Sequence, residues 1–473
     1  MTSSAVMATP RPRAGSIDRP RLASGERSAG ARTAASVLLL LLWLACASGP
    51  VAQTLTMSRR VAVEGVKTPI AQAVVDAWNV AFYLPAVIAG IVLIFRFVFV
   101  RNDLAPLVVL VLPWIWIIVN EYTRGGRISP QILLPIGVAV TFWAIQVRVG
   151  DLKLYALLTA VLAAVSMVLT WSAPTLMYMP QGFDAASDKS LTGLPLLAGF
   201  FSHPNSNGLF LLLALPLTHL FSRWYLRWTT AAVILTAIVW SSSRTALFGA
   251  AVWLVVMLLA VLLRTSLRRA LSVVLVGLVA AIIVVPLITT DPEAYTARGA
   301  IWQFNLAQLH GTTQWLVGLG HTWYTDNYDM LRDALSTAAG HGHNVFVTYA
   351  VTGGLILVAL IVVVLLNAAR IAARLPRREH VAAMAFLCVL AAASITESAW
   401  RTEAPDTLFA SMIVPLFVIA TQSRLLASPP KGPLGDAPGE PLTRRTLAGR
   451  ALKSAGATAA GGEGSSIRAG GPR

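Results

Sequence analysis

The chain has 473 residues, 56% of them hydrophobic and only 12% charged, about half the charged fraction of an ordinary soluble domain. That excludes a soluble enzyme and an intrinsically disordered protein. The formal net charge of +16 suggests nucleic acid when taken alone, so the placement of the basic residues decides what it means.

Residues 1–34 and 426–473 are rich in Ser, Ala, Gly, Pro and Arg and lack apolar periodicity. Both read as disordered tails flanking a membrane domain at 35–425. Within that domain, a window of about 20 residues crosses ~30 Å of hydrocarbon. It selects twelve spans: 36–51, 79–100, 104–119, 131–149, 154–171, 191–221, 229–240, 245–263, 270–288, 345–366, 381–395 and 408–420. The first follows an Arg-bearing tail and ends in Ala45-Cys46-Ala47, so it is either a span or a cleaved signal sequence, and cleavage leaves eleven. The expected fold class is all-α: a polytopic integral membrane bundle of 11–12 transmembrane helices with one long extracytoplasmic loop. Cys46 and Cys388 both lie inside apolar runs, which points to packing rather than to a disulfide or a zinc site.

Cytoplasmic loops collect Lys and Arg. With the N-terminus inside, 27 basic residues fall on the inner side and 10 outside, while acidic residues divide 8 inside and 13 outside. The inner face then carries +19 and the outer face −3. The excess charge sets topology, places both tails in the cytoplasm and leaves no case for nucleic acid.

Three outward features break the apolar pattern. The 191–221 run, ~47 Å long as straight helix, is too long for one span. It contains His203-Pro204-Asn205-Ser206-Asn207-Gly208, which cannot comfortably continue a helix. It reads as an interfacial or re-entrant approach, a break at the outer surface, and a span from about Gly208. Non-helical backbone near lipid needs protein or water partners, so a polar cavity opening outward is implied. Next, the tight turn Ser241-Ser242-Ser243-Arg244-Thr245-Ala246 sets a cation at the outer surface, with serines able to cap the following helix. Arg244 is there either as a snorkelling anchor or as a phosphate ligand.

The third feature is the loop at 289–344, about 55 residues where a few are usual. It holds four of the seven histidines, His310, His321, His341 and His343, with Arg298, Arg332, Asp326, Asp329 and Asp333. Trp302, Leu306 and Leu309 make one apolar face of a short helix over 297–309. Trp302, Trp315, Trp323, Tyr324 and Tyr328 suit the membrane interface or stacking on sugar rings.

The order of these features resembles the O-antigen ligase and O-antigen polymerase superfamily. The resemblance rests on Ser243-Arg244-Thr245-Ala246, then Arg298-Gly299-Ala300-Ile301-Trp302, then His343-Asn344 followed by Gly353-Gly354, with a His-Pro-Asn segment upstream at His203. It covers a third of the chain, about Gly193 to Gly354. It implies a metal- and ATP-independent glycosyltransferase in the inner (plasma) membrane that needs no cofactor. Its donor is a glycan on an undecaprenyl diphosphate carrier at the outer leaflet, and its acceptor a glycan or glycolipid: lipid A core or another glycan in ligases, a second carrier-linked repeat in polymerases. The matching catalytic residues are Arg244, Arg298 and His343, while His203, Asn205, Trp302, His341 and Asn344 are candidates for substrate contact. His341, two positions before His343, keeps the identity of the base open.

The residues suit that chemistry on their own terms. Cleaving a sugar–phosphate bond builds negative charge on the diphosphate, which preorganised arginines stabilise, and an acceptor hydroxyl needs a base such as histidine. The carrier diphosphate is itself the activated bond, and the chain has no GxxxxGK[ST]. Two rivals remain. A lipid or polysaccharide transporter is expected to show midplane charges and paired broken spans. A metal-dependent transferase needs an acidic pair: Glu64 and Asp76 make a poor one, while Asp326 and Asp329 with His321 could bind a metal, although acidic surface residues are more often solvated.

Overall fold

The computed structural model describes residues 29–57, 104–179, 190–263, 265–335, 340–400, 402 and 408–422. Among them every regular element is a helix, and the β structure is confined to an isolated bridge between Tyr178 and Leu197. The helices are α1 (Ala29–Met57), α2 (Ala105–Thr123), α3 (Leu133–Ile145), α4 (Lys153–Ser172), α5 (Pro174–Met177), α6 (Pro204–Ala214), α7 (Trp224–Ser241) and α8 (Arg244–Leu262). They continue with α9 (Leu267–Ile288), α10 (Ala294–Ala307), α11 (Gly311–Val317), α12 (Trp323–Asp326), α13 (Tyr328–Leu335), α14 (Val345–Ala372), α15 (Arg377–Ser394) and α16 (Phe409–Ala420).

Among the described residues six helices are long and apolar enough to cross a membrane: α1, α2, α4 with its leading turn, α8, α9 and α14. The span expected at 79–100 lies outside the described residues, as do 1–28 and the C-terminal tail. α3 and α16 are apolar but shorter. At 13 residues, α3 is ~20 Å long, because Gln146 turns left-handed (φ 56°, ψ 52°) and ends it; the span expected over 131–149 is helical only in part. α1 begins at Ala29, inside the stretch expected to be a tail, and runs on past Ala45-Cys46-Ala47. Its Trp43 indole donates to Thr159 of α4 (3.1 Å), and Cys46 lies 3.5 Å from Ser411 of α16, packing that builds the segment into the bundle.

The 191–221 run departs most from expectation. Its helix, α6, starts at Pro204, whose fixed φ suits a first helical position, and lasts 11 residues before a 3₁₀ turn at Leu215–Leu220. The break is where the sequence puts it, but helix begins a turn earlier than Gly208 and is short. The preceding chain pairs its backbone with neighbours: Leu191 N donates to Ser242 Oγ (3.1 Å), and Leu197 N to Trp240 O (3.3 Å).

At the centre lies α15, buried on every side from His380 to Ser394 and packed against α8, α9, α14 and the Leu215–Leu220 turn. A helix apolar all round belongs in a core, and its many alanines let neighbours approach closely. Beyond it the chain stays largely buried through Trp400 without being helical.

The described part of the long loop is packed rather than loose. α14 is kinked at Gly354 (φ 70°, ψ −175°), and the chain after α11 fills the kink, with Leu319 N donating to Val351 O (2.6 Å). The end of α2 clamps the same strip. Asn120 Nδ2 donates to Val317 O (2.9 Å), Arg124 to Gly318 O (2.5 Å), and Glu121 accepts from His321 N (3.0 Å).

A Cβ at Gly354 would meet Leu316 O at 2.0 Å, and one at Gly318 would meet Gly353 N at 2.6 Å, both at left-handed φ. Gly354→Ala and Gly318→Ala are each expected to destabilise by about 2 kcal/mol, read as a lowered thermal midpoint in nanodiscs. Unchanged melting in either variant would show that the loop does not dock in the kink.

Candidate active site

Four helix ends converge on one polar cluster. Ser242, left-handed at φ 49°, ends α7, and Ser243 caps α8 by accepting from Ala246 N (3.4 Å), as its position before an apolar run foretells. Gly208 of α6 makes room for that cap: a Cβ there would lie 2.6 Å from the Ser243 Cβ. Arg244 follows as the first helical residue, exposed, its Nη1 donating to Thr296 Oγ1 in the long loop (3.0 Å).

The centre of the cluster is Glu397, in the buried segment after α15. One carboxylate oxygen accepts from Arg298 Nη2, and the other lies 3.1 Å from His343 Nδ1. Its side chain is only 9% exposed, that of Arg298 14% and that of His343 25%. A carboxylate flanked by cationic and imidazole donors is satisfied where a lone one would be costly. Because a carboxylate only accepts, the His343 proton is assigned to Nδ1, which leaves Nε2 as the basic nitrogen.

Hydroxyls and one amide hold this arrangement. Thr396 Oγ1 meets Thr245 Oγ1 (2.9 Å), and Ser398 Oγ meets Thr348 Oγ1 (2.6 Å), tying the Glu397 segment to α8 and α14. Asn344 caps α14 through Oδ1 to Val347 N (3.0 Å), and its Nδ2 donates to Ile282 O (3.0 Å) and Ile395 O (2.9 Å). Backbone strain gathers in the same place. The non-glycine residues with left-handed φ include Ser242, Tyr295, Thr296, Ala297 and His343, each costing on the order of 1 kcal/mol. Such strain persists where surrounding contacts over-determine it, commonly at functional sites.

The structure redistributes the roles expected from sequence. Arg298 and His343 are drawn together on Glu397, which the sequence reading passed over, and Arg244 is tied to the same loop through Thr296. Arg298, expected as an outward cation awaiting phosphate, already has a carboxylate partner. His341 joins the cluster, with its ring centroid 4.2 Å from that of His343 and its Nδ1 accepting from His343 N (3.1 Å). Asn344 is wholly buried and uses both N–H groups and its oxygen internally, so it positions the site instead of touching substrate. Trp302 does lie on the apolar face of the expected short helix but is fully buried beneath Tyr295 (centroids 5.2 Å apart); neither interface anchoring nor sugar stacking is open to it. Tyr324 is likewise buried, which pushes its phenol well above the ordinary range and keeps it neutral. His203 caps α6 by accepting from Asn205 N (3.0 Å), a local structural use of both residues.

Of the sets weighed for metal, Glu64 and Asp76 lie outside the described residues. Asp326 accepts from Thr322 and Asp329 pairs with Arg332 (3.1 Å). Among the described residues the set that converges is His341, His343 and Glu397, whose ligand atoms lie within 4.8 Å of one another.

No protein-family model, curated protein or solved structure matches this chain. Fold and site by themselves define a class: a protein whose described residues are helical, with six helices among them long and apolar enough to cross a membrane, carrying an Arg–Glu–His chain where several helix ends meet.

Removing either partner of the Arg298–Glu397 pair strands the other, so Arg298→Met and Glu397→Met are each expected to cost about 3 kcal/mol. The double variant should cost clearly less than the two together. Thermal unfolding of the four proteins measures the coupling, and simple additivity would show that the pair is not formed.

Proposed function

We propose that the protein is a membrane glycosyltransferase of the O-antigen ligase type. It moves a glycan from an undecaprenyl diphosphate carrier to an acceptor hydroxyl at the outer face of the inner membrane. The reading that the chain crosses the bilayer about twelve times, with both termini cytoplasmic, belongs to this proposal. The observation that carries it is the Arg298–Glu397–His343 chain beside exposed Arg244, which supplies a base and cations to one place.

His343 Nε2 takes the proton of the acceptor hydroxyl while its oxygen bonds to the anomeric carbon. The bond from that carbon to the carrier phosphate breaks, and the carrier diphosphate leaves with the electron pair. Arg244, held by Thr296 and open to solvent, faces the developing charge, and the guanidinium N–H groups of Arg298 beyond its Glu397 contact add to it. Glu397 holds the His343 tautomer and its orientation, the part a carboxylate plays behind a catalytic imidazole. The base left open in the sequence is read as His343, because its Nδ1 faces the carboxylate whereas His341 Nδ1 accepts a backbone N–H. The break in α14, which a transporter would use to line a path, is filled by loop backbone, and this favours the enzyme over the carrier. A polymerase joining carrier-linked repeats uses the same chemistry with a different acceptor.

His343→Ala is expected to lower transfer by ~10²–10⁴-fold, and Arg244→Ala by ~10²–10³-fold, with protein still present in the membrane and carrier-linked glycan accumulating. Arg244→Lys should recover only part of the rate, since a point charge replaces a planar fork. Wild-type transfer by either alanine variant would remove that residue from the mechanism. In a deletion strain, accumulated full-length carrier-linked polymer identifies a ligase and accumulated single repeats a polymerase.

A further inference from the structure

We propose that His341, His343 and Glu397 form a binding site for a transition metal of the zinc class, and that an ion seated there silences the His343 base. The ligand atoms of the three already lie within 4.8 Å of one another, so small side-chain movements bring them onto one ion at the ~2.0–2.2 Å bond lengths of zinc. Two imidazoles and one carboxylate, with a fourth position open, are a zinc-type donor set. They do not suit magnesium or calcium, which take oxygen ligands.

The backbone presents the two imidazoles together. Gly342 separates them, and a Cβ there would lie 2.9 Å from both Tyr324 Oη and Val347 Cγ1, so the turn is tight and the rings lie side by side, 4.2 Å apart at 49°. The carboxylate has a supporting partner as well. Arg298 holds one oxygen of Glu397 and leaves the other, now facing His343 Nδ1, to turn to an ion, the kind of outer-shell contact that orients metal ligands. The positive charge of Arg298 weakens attraction for a cation, which favours reversible occupancy over a permanent structural ion. His343 Nδ1 exchanges its hydrogen bond to Glu397 for the metal, and the proton it carried moves to Nε2, which then has no lone pair left to accept the acceptor's proton. That exchange undoes the tautomer on which the base depends. Binding stands on the geometry alone; only the silencing rests on the glycosyltransferase reading.

The test uses the full chain, stripped with chelator and reconstituted in nanodiscs, with Zn²⁺ as the probe and Mg²⁺ as control, in equilibrium dialysis. One zinc per chain is expected, with no comparable uptake of Mg²⁺. His341→Ala, His343→Ala and Glu397→Gln should each weaken binding by about 10–100-fold, while His321→Ala binds as wild type. Co²⁺ should show tetrahedral absorption in the wild type and lose it in His341→Ala, a half-buried position where the fold is expected to survive. Absence of stoichiometric zinc, or uptake unchanged in all three variants, overturns the site. Zinc should also inhibit transfer by wild type, reversed by chelator. Inhibition absent while zinc is bound overturns the silencing alone, and full metal-free activity of His343→Ala overturns the functional reading and leaves the ion site standing.

Discussion

A single buried carboxylate organises the polar end of this protein. Glu397, just beyond the end of α15, reaches Arg298 from the long loop and His343 from the turn before α14, and so joins the two segments. Taking a carboxylate out of water costs several kcal/mol, recovered only when its oxygens find charged or hydrogen-bonding partners in good geometry. The Glu397 position therefore constrains the rest. The loop has to fold back over the helix ends, and the chain before α14 has to turn His343 inward, or the charge is stranded. The hydroxyl pairs Thr245–Thr396 and Ser398–Thr348, with the saturated amide of Asn344, keep the segment from relaxing away.

That constraint also accounts for the strain. Three consecutive left-handed residues, Tyr295, Thr296 and Ala297, are unfavourable for chains with a Cβ, yet they bring Thr296 to Arg244 and seat Tyr295 over Trp302. The cost, on the order of a few kcal/mol, is balanced by burial of the Trp302 ring and by the ion pair at Arg298 immediately after. His343 is left-handed for a related reason: the turn through Gly342 must aim one ring at Glu397 while Asn344 begins α14.

What the sequence revealed followed the range of the interactions involved. The Ser243 cap before Arg244 and the break at His203-Pro204 depend on neighbours a few residues away and are present; of the expected apolar face, Trp302 and Leu306 lie on α10, which ends at Ala307, and Leu309 follows it. Glu397 was invisible because its partners lie 99 and 54 residues distant, and no local pattern separates a Glu after an apolar helix from a solvated one. The clue was available in composition: a Thr-Glu-Ser step just after the apolar run from Val381 to Ala393. Trp302 misled for the opposite reason, since an interface aromatic and a core aromatic read alike until tertiary packing covers one of them. α3 fell short of its apolar window because Gln146 turned left-handed, a backbone choice that hydropathy does not encode.

The charge balance changes meaning once the pairs are known. By sequence Arg244 and Arg298 read as equivalent cations on a face expected to sum to −3, each suited to a phosphate. Arg298 spends its charge on Glu397, whereas Arg244 contacts a neutral threonine and is exposed. An incoming diphosphate gains more from a cation whose field is not cancelled at close range, since attraction at a few ångströms far exceeds that of a neutralised pair. In the proposed transfer the two arginines would divide the work by environment: Arg244 would attract and hold the anion, while Arg298 stiffens the carboxylate that orients His343.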